Sequence, residues 1–410
     1  MRAPIIRRTL HRLTSRAFVL VLLASAALLA PQSSVWSADT LRGADPKAKV
    51  GTTASSSSKE SGKASSSAPE PVGWDDAFLR SKREELLGEF NAFAEKENIG
   101  RKFKVKTSER FVFVYDVSDA YLEWLSALAA EVGKAFDKFC VQLDLETTAP
   151  AEPLTVVVLA TREEFDAYAV TLRGPAYLEQ ENKPIGFFNH RNNRSVLFDM
   201  TATEASRVEE EEAASSGSRR GQDDRAFTRR QINREAKAMK ARGNSGSNTS
   251  TIVHELSHQL AYNHGIFELS VRQPDWVVEG MAMTFEPSND DAVLGWRFRG
   301  VFPVNEGRLR SFVERVNKDD NLSILDEIVR SDDFETQLSI DGYAASWALF
   351  YYCYRKKPKE LKKYIETIGS RPRRKVYSPE ERMAEFEDCF GPVDVFAKPF
   401  VRFMRGLNSK

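Results

Sequence analysis

The chain has 410 residues, 41% hydrophobic and 29% charged, enough to bury one or two cores. Its 59 basic and 59 acidic residues give a net charge of +0, and no base-reading motif is present, so nothing points to nucleic acid or an anionic membrane surface as partner. The three cysteines, Cys140, Cys353 and Cys389, allow at most one disulfide, and none has CxxC or zinc-ribbon spacing.

Arg2, Arg7, Arg8, Arg12 and Arg16 precede an apolar run over residues 18–30. That run is shorter than the ~20 residues a membrane-spanning helix needs. Basic region, short apolar core and small residues beyond it predict a signal peptide over residues 1–37. The protein is therefore expected in the periplasm, the cell envelope or outside the cell, with no stable membrane span after cleavage; an uncleaved anchor is the alternative. Residues 38–72 carry Ser55 to Ser58 and Ser65 to Ser67 among scattered Lys, Pro and Gly. Such a stretch cannot bury enough apolar area to fold and reads as a disordered linker.

An N-terminal α/β lobe is expected over residues 73–200. Leu79, Lys82 (through its stem), Leu86, Phe90 and Phe93 follow helical spacing within 75–98. Residues 110–115 read as a strand, 120–143 as a long amphipathic helix, 154–159 as a buried strand and 162–170 as a short helix. Cys140 and Cys353 fall in apolar helical stretches and are expected to act as small buried hydrophobes. Residues 185–188 and 194–199 form a predicted hairpin around Asn189-His190-Arg191-Asn192-Asn193, with His190 a surface residue at its tip.

Residues 201–248 interrupt the pattern with Glu209 to Glu212, then Ser215 to Ser218, then a Lys/Arg-rich run. They read as a charged low-complexity insertion, partly helical and mostly solvated.

The chemistry begins at His254-Glu255-Leu256-Ser257-His258, an HExxH pattern. On a helix, residues four apart share one face, so both imidazoles can reach one zinc ion, and Glu255 stands beside them as a base for a metal-bound water. Of the five histidines in the chain, His254, His258 and His264 fall within this short stretch. Zinc needs a third protein ligand. His264 has the spacing of the metzincin third histidine, but the glycine that turns the chain there is replaced by Ala261. Glu279 is the better candidate. Gly265 suits a left-handed helix stop, Pro274 and Asp275 open a second helix, and Glu279 sits about one turn into it. Trp276, Val277, Met281 and Met283 are expected in the core. Glu286 could hold a ligand histidine, but an ordinary salt bridge is the favoured role.

Beyond Glu286 the periodicity predicts helices at 309–316, 324–329, 343–354, 360–367, 379–390 and 393–407. The third is apolar nearly all round and should be a buried central helix.

His-Glu-x-x-His followed by Trp276-x-x-Glu279-Gly280-x-Ala282 and the pair Phe285-Glu286 resembles the gluzincin zinc peptidases, of the peptidase MA type. The likeness is closest to an uncharacterised family of exported bacterial zincin-like proteins, specific over 249–286 and looser over 101–200 and 337–405. It implies a Zn2+ ion bound by His254, His258 and Glu279, with Glu255 as general base. The implied fold is α+β and zincin-like: a small mixed sheet packed on the active-site helix, then a mainly helical C-terminal half within 249–410. In zincins the strand before the active-site helix is the sheet edge and binds substrate backbone, so 194–199 is expected there, with Ser195 or Leu197 lining the cleft. Tyr343 is the candidate oxyanion donor, because several gluzincins supply a tyrosine from a later helix. Two departures stand out. Val278 replaces the usual Asn or Asp, and no Asp follows Glu279 by four residues, so the sequence names no partner that orients the histidines.

The expected function is an exported zinc metallopeptidase that cleaves peptide or protein substrates through a zinc-bound water activated by Glu255. Two rivals remain. One is a non-catalytic zincin-like binding or scaffold module of the envelope; the other is a zinc hydrolase of non-peptide amides. Retention of Glu255 favours chemistry, since a structural site needs ligands but no base.

Overall fold

Near-continuous apolar runs rich in valine place β2 (Phe111–Tyr115) and β3 (Leu154–Leu159) inside a sheet: every residue of both strands is buried. In the computed structural model, which describes residues 73–180, 183–200, 248–287, 298–319, 323–331 and 339–408, the two strands pair in parallel, with Phe113 opposite Val156. The expected signal peptide 1–37, the linker 38–72 and all but the last residue of the insertion 201–248 lie outside the described residues.

The N-terminal elements run α1 (Asp76–Lys96), β1 (Lys104–Thr107), β2, α2 (Asp119–Gln142), β3, α3 (Arg162–Arg173), a 3-10 turn (Pro175–Glu179), β4 (Phe187–Asn189) and β5 (Arg194–Phe198). Local chemistry starts the helices. Ser118 caps α2 by accepting the Tyr121 N–H, and Thr161 with Glu164 forms a capping box on α3. β1 pairs antiparallel with β2 at one edge. It had no sequence signal, because its single buried residue, Val105, stands between two lysines.

The five strands lie in the order β1-β2-β3-β5-β4, a small mixed sheet. This corrects the expected edge. β5 is interior, parallel to β3 on one side and antiparallel to β4 on the other, and β4 takes the edge. A tight turn joins the two arms. Asn189 Oδ1 accepts the N–H groups of Arg191 and Asn192, Asn193 adopts φ 54°, and the chain doubles back so that the shorter arm lies outside. All five residues of β5 pair with β3 and only three residues of β4 pair with β5, so the longer arm takes the position bonded along both edges. Ser195 and Leu197 are accordingly buried rather than cleft-lining.

Alternation along the strands divides the core. Val112, Val114, Val157, Leu159, Val196 and Phe187 face α1 and α3. Phe111, Phe113, Tyr115, Val156, Val158 and Leu197 face α2 and the helical half. That half comprises α4 (Asn248–Asn263), α5 (Asp275–Phe285), α6 (Glu306–Asp319), α7 (Ser323–Arg330), α8 (Ser339–Lys356), α9 (Pro358–Gly369), α10 (Pro379–Phe390) and α11 (Val393–Asn408). The architecture is α+β and mostly helical.

α8 is the expected central helix, buried from Ala344 to Tyr354 and packed against α5, α6, α7, α9 and α11. It meets α5 closely at Gly280, where an added Cβ would lie 2.6 Å from the Ser346 carbonyl oxygen. Trp276, Val277, Met281 and Met283 are core residues, with Trp276 stacked on Tyr364 of α9 at 5.3 Å. Phe396, Phe400 and Met404 bring α11 back onto this core. All three cysteines are free, and Cys140 and Cys353 are buried. Among the described residues no helix is long and apolar enough to cross a membrane.

Candidate metal centre

α4 is fixed to the sheet by both apolar and polar contacts. Ile252, Val253, Leu256 and Leu260 enter the core. Gln259 Nε2 donates to the carbonyl oxygens of Thr155 and Asn193, each at 3.0 Å, and Ser195 Oγ donates to Gln259 Oε1 at 3.0 Å. Buried amides satisfied this fully resist sliding of the helix along the strands. His254 and His258 point away from the sheet, and Glu255, one turn before Gln259, stands on the flank between them and the strands. After Asn263 the helix ends, with Gly265 at φ 76°, and α5 then brings Glu279 to the same place.

Three groups converge. His254 Nε2 lies 3.0 Å from His258 Nε2 and 3.2 Å from Glu279 Oε2, and His258 Nε2 lies 3.4 Å from Glu279 Oε1. A zinc ion with bonds of about 2.0–2.1 Å in tetrahedral geometry spaces its ligand atoms by roughly 3.3 Å. The separations are of that order, and the three side chains form a group that could hold a metal. The side chains of His254 and Glu279 retain 15% and 24% exposure, so the group opens toward solvent on one side.

Charge complementarity holds the trio together. Burial opposes ionisation of Glu279, but the charge of His258 and hydrogen bonds with both histidines outweigh it and hold the carboxyl far below its usual range. Burial likewise disfavours a charged His254, yet hydrogen bonds with Glu279 and Glu286 raise it well above the ordinary imidazole value.

Glu286 does more than form the salt bridge favoured from sequence. Its Oε1 lies 3.0 Å from His254 Nδ1, its Oε2 accepts from Asn305 Nδ2 at 3.0 Å, and Arg308 stands 3.6 Å away. It is thus the carboxylate that orients a candidate ligand, the role that the sequence had ranked second to an ordinary salt bridge. His258 Nδ1, by contrast, is buried with no hydrogen-bond partner among the described residues.

Glu255 is half-buried, and its Oε2 accepts the backbone N–H of Phe188 on β4 at 2.7 Å. Its negative charge acts on His254. Gly186 makes this approach of edge strand to helix possible: a Cβ there would lie 2.5 Å from Thr251 Cγ2 and 3.4 Å from Glu255 Cγ. Tyr343 stands near the start of α8 with the Arg308 guanidinium 5.7 Å from its ring centroid, so it is linked to the trio through Arg308 and Glu286. His264 is not part of the group. It is buried with its ring 5.2 Å from Phe136 and within the field of Arg110 and Asp137. Ala261 remains inside the helix, so the turn a metzincin needs there does not occur.

Two aromatic neighbours were not connected with the site from sequence. His190 is at the exposed hairpin tip as expected, but its ring packs on Tyr262 of α4, and the charges of His258 and Glu279 reach it. Tyr262 was legible in principle, being one helical turn beyond His258 on the same face.

A family model described as "Protein of unknown function (DUF1570)" matches residues 248–373. The matched span opens at the first residue of α4 and contains both histidines, Glu255, Glu279, Glu286 and Tyr343. The sheet lies outside it. No curated protein matches the chain.

Proposed function

We propose that the chain is an exported, zinc-dependent metallopeptidase of gluzincin type. The observation that carries this reading is the convergence of His254, His258 and Glu279 on one point, with the Glu255 carboxylate held beside them by the edge strand. The basic and apolar N-terminal sequence supports export.

Bound at the trio, zinc would supply Lewis acidity, acidifying a coordinated water and polarising a scissile carbonyl. The chain's own groups supply the rest. Glu286 fixes the ring of His254 through Nδ1, which directs Nε2 at the centre. Glu255 takes a proton from the attacking water and returns it to the leaving amine, with the Phe188 N–H holding one of its oxygens in place. Tyr343 is the candidate donor to the developing oxyanion, approached through Arg308.

A peptide-library digest with the zinc-loaded protein, with and without a chelator, tests this reading. Chelator-sensitive cleavage is expected, and Glu255→Gln should keep bound zinc while losing turnover. Full activity in that variant would remove the general-base role.

A further inference from the structure

Residues 264–274 join the two helices that carry the candidate ligands, and they end at Pro274, the N-cap of α5. Proline has no side-chain acceptor for the free N–H groups of the first turn, and α5 has no side-chain cap. The direction in which α5 leaves is set instead by a distant part of the chain. Trp276, in the first turn, is stacked on Tyr364 of α9 at 5.3 Å and meets Phe386 of α10 edge-on at 6.1 Å.

Arg371, just beyond α9, holds the connection itself. Its Nη1 donates to the Arg272 carbonyl oxygen at 2.8 Å. Its Nε lies 3.1 Å from Glu385 Oε2 on α10, and its Nη2 donates to the same carboxylate. The guanidinium also lies over the Tyr377 ring at 4.2 Å. The Arg371 side chain is 2% exposed, so water does not compete for these contacts. Nearby, Arg374 donates its N–H to the Ser270 carbonyl oxygen at 3.1 Å from a left-handed conformation, φ 62°, that non-glycine residues adopt at a cost. The segment after α9 is thus fastened to the segment before α5 at two carbonyls.

These contacts make α5 a short rod pinned twice, at Gly280 by α8 and at its entry by Arg371 and Tyr364. Glu279 lies between the pins. A binding constellation keeps its geometry only when its supports hold it to within about 0.5 Å. We propose that Arg371 is a positioning residue of the metal centre, fixing the approach of α5 through the Arg272 carbonyl and with it the Glu279 carboxylate. This rests on the zinc reading of the trio. The planar fork matters as much as the charge: lysine keeps the charge but cannot meet Glu385 and Arg272 together in that geometry.

Zinc affinity, measured by competition with a chromogenic chelator on wild type, Arg371→Lys, Glu385→Gln and Phe90→Leu, tests this. Cobalt(II) loaded in place of zinc reports the ligand set through its visible bands. Arg371→Lys should bind zinc about tenfold more weakly, and its cobalt spectrum should move toward that of Glu279→Ala. Phe90→Leu loosens the core on the far side of the sheet and should keep zinc affinity within about twofold of wild type. Wild-type affinity and spectrum in Arg371→Lys overturn the proposal, as does an equal loss in Phe90→Leu, which would make the effect one of general stability. Should Arg371→Lys fail to fold, Glu385→Gln decides by the same two readouts. A wild type that takes up no zinc overturns the metal reading, and this proposal with it.

Discussion

Glu286 Oε1 sits 3.0 Å from Nδ1 of His254, while Nε2 of the same ring faces His258 and Glu279. One imidazole thus has a carboxylate behind it and the candidate metal position before it. The carboxylate fixes the tautomer, makes the ring a better donor and prevents its rotation. Glu286→Ala should weaken zinc binding by about 10- to 100-fold, read by competition with a chromogenic chelator. An unchanged affinity would reduce Glu286 to a partner of Arg308 and Asn305.

The third ligand can be tested by contrast. Glu279→Ala should remove most of the bound zinc, because two histidines alone leave the ion under-coordinated. His264→Ala should leave zinc content unchanged, since that ring packs on Phe136 away from the trio. Metal analysis of the two purified variants gives the answer, and the reverse result would make His264 the ligand.

Much of this site was legible because helix periodicity is local. His254, Glu255 and His258 follow from spacing within one helix, and Glu279 from a second helix opened by Pro274 and Asp275 after a glycine stop. What was missed or ranked wrongly depends on contacts distant in sequence. Glu286 lies just past the end of α5, and only the packing of two helices shows that it reaches His254. Both arms of the hairpin read as strands, but which arm pairs with β3 is a long-range choice that neither arm encodes. β1 was invisible because one buried valine between lysines gives no alternation.

Close packing of α5 on α8 at Gly280 positions Glu279, the preceding residue. A Cβ at 280 would lie 2.6 Å from the Ser346 carbonyl oxygen and 2.7 Å from Phe350 Cβ. The first of these is backbone and cannot rotate aside, so the two helices must separate. Gly280→Ala should lower stability by about 1–3 kcal/mol in urea unfolding, despite the better helix propensity of alanine. It should also weaken zinc binding, because α5 carries Glu279. A variant as stable as wild type, or more so, would show that the interface can yield.

His264 gives the fold a pH dependence separate from the metal. Burial pushes its imidazole down to about 4, and the positive charge of Arg110 acts in the same sense, against Asp137. The unfolded chain binds that proton near pH 6.5, whereas the folded chain binds it only near pH 4. Between those values the unfolded state holds more protons, so the contribution is complete above about pH 6.5 and is lost as pH falls toward 4. Each pH unit in that window is worth at most about 1.4 kcal/mol. His264→Gln removes the titrating group, and its unfolding free energy should fall less steeply with acid than that of wild type. Denaturant melts of both proteins at pH 7, 6, 5 and 4 give the comparison; parallel curves would mean that His264 is protonated as readily in the native state as in the unfolded chain.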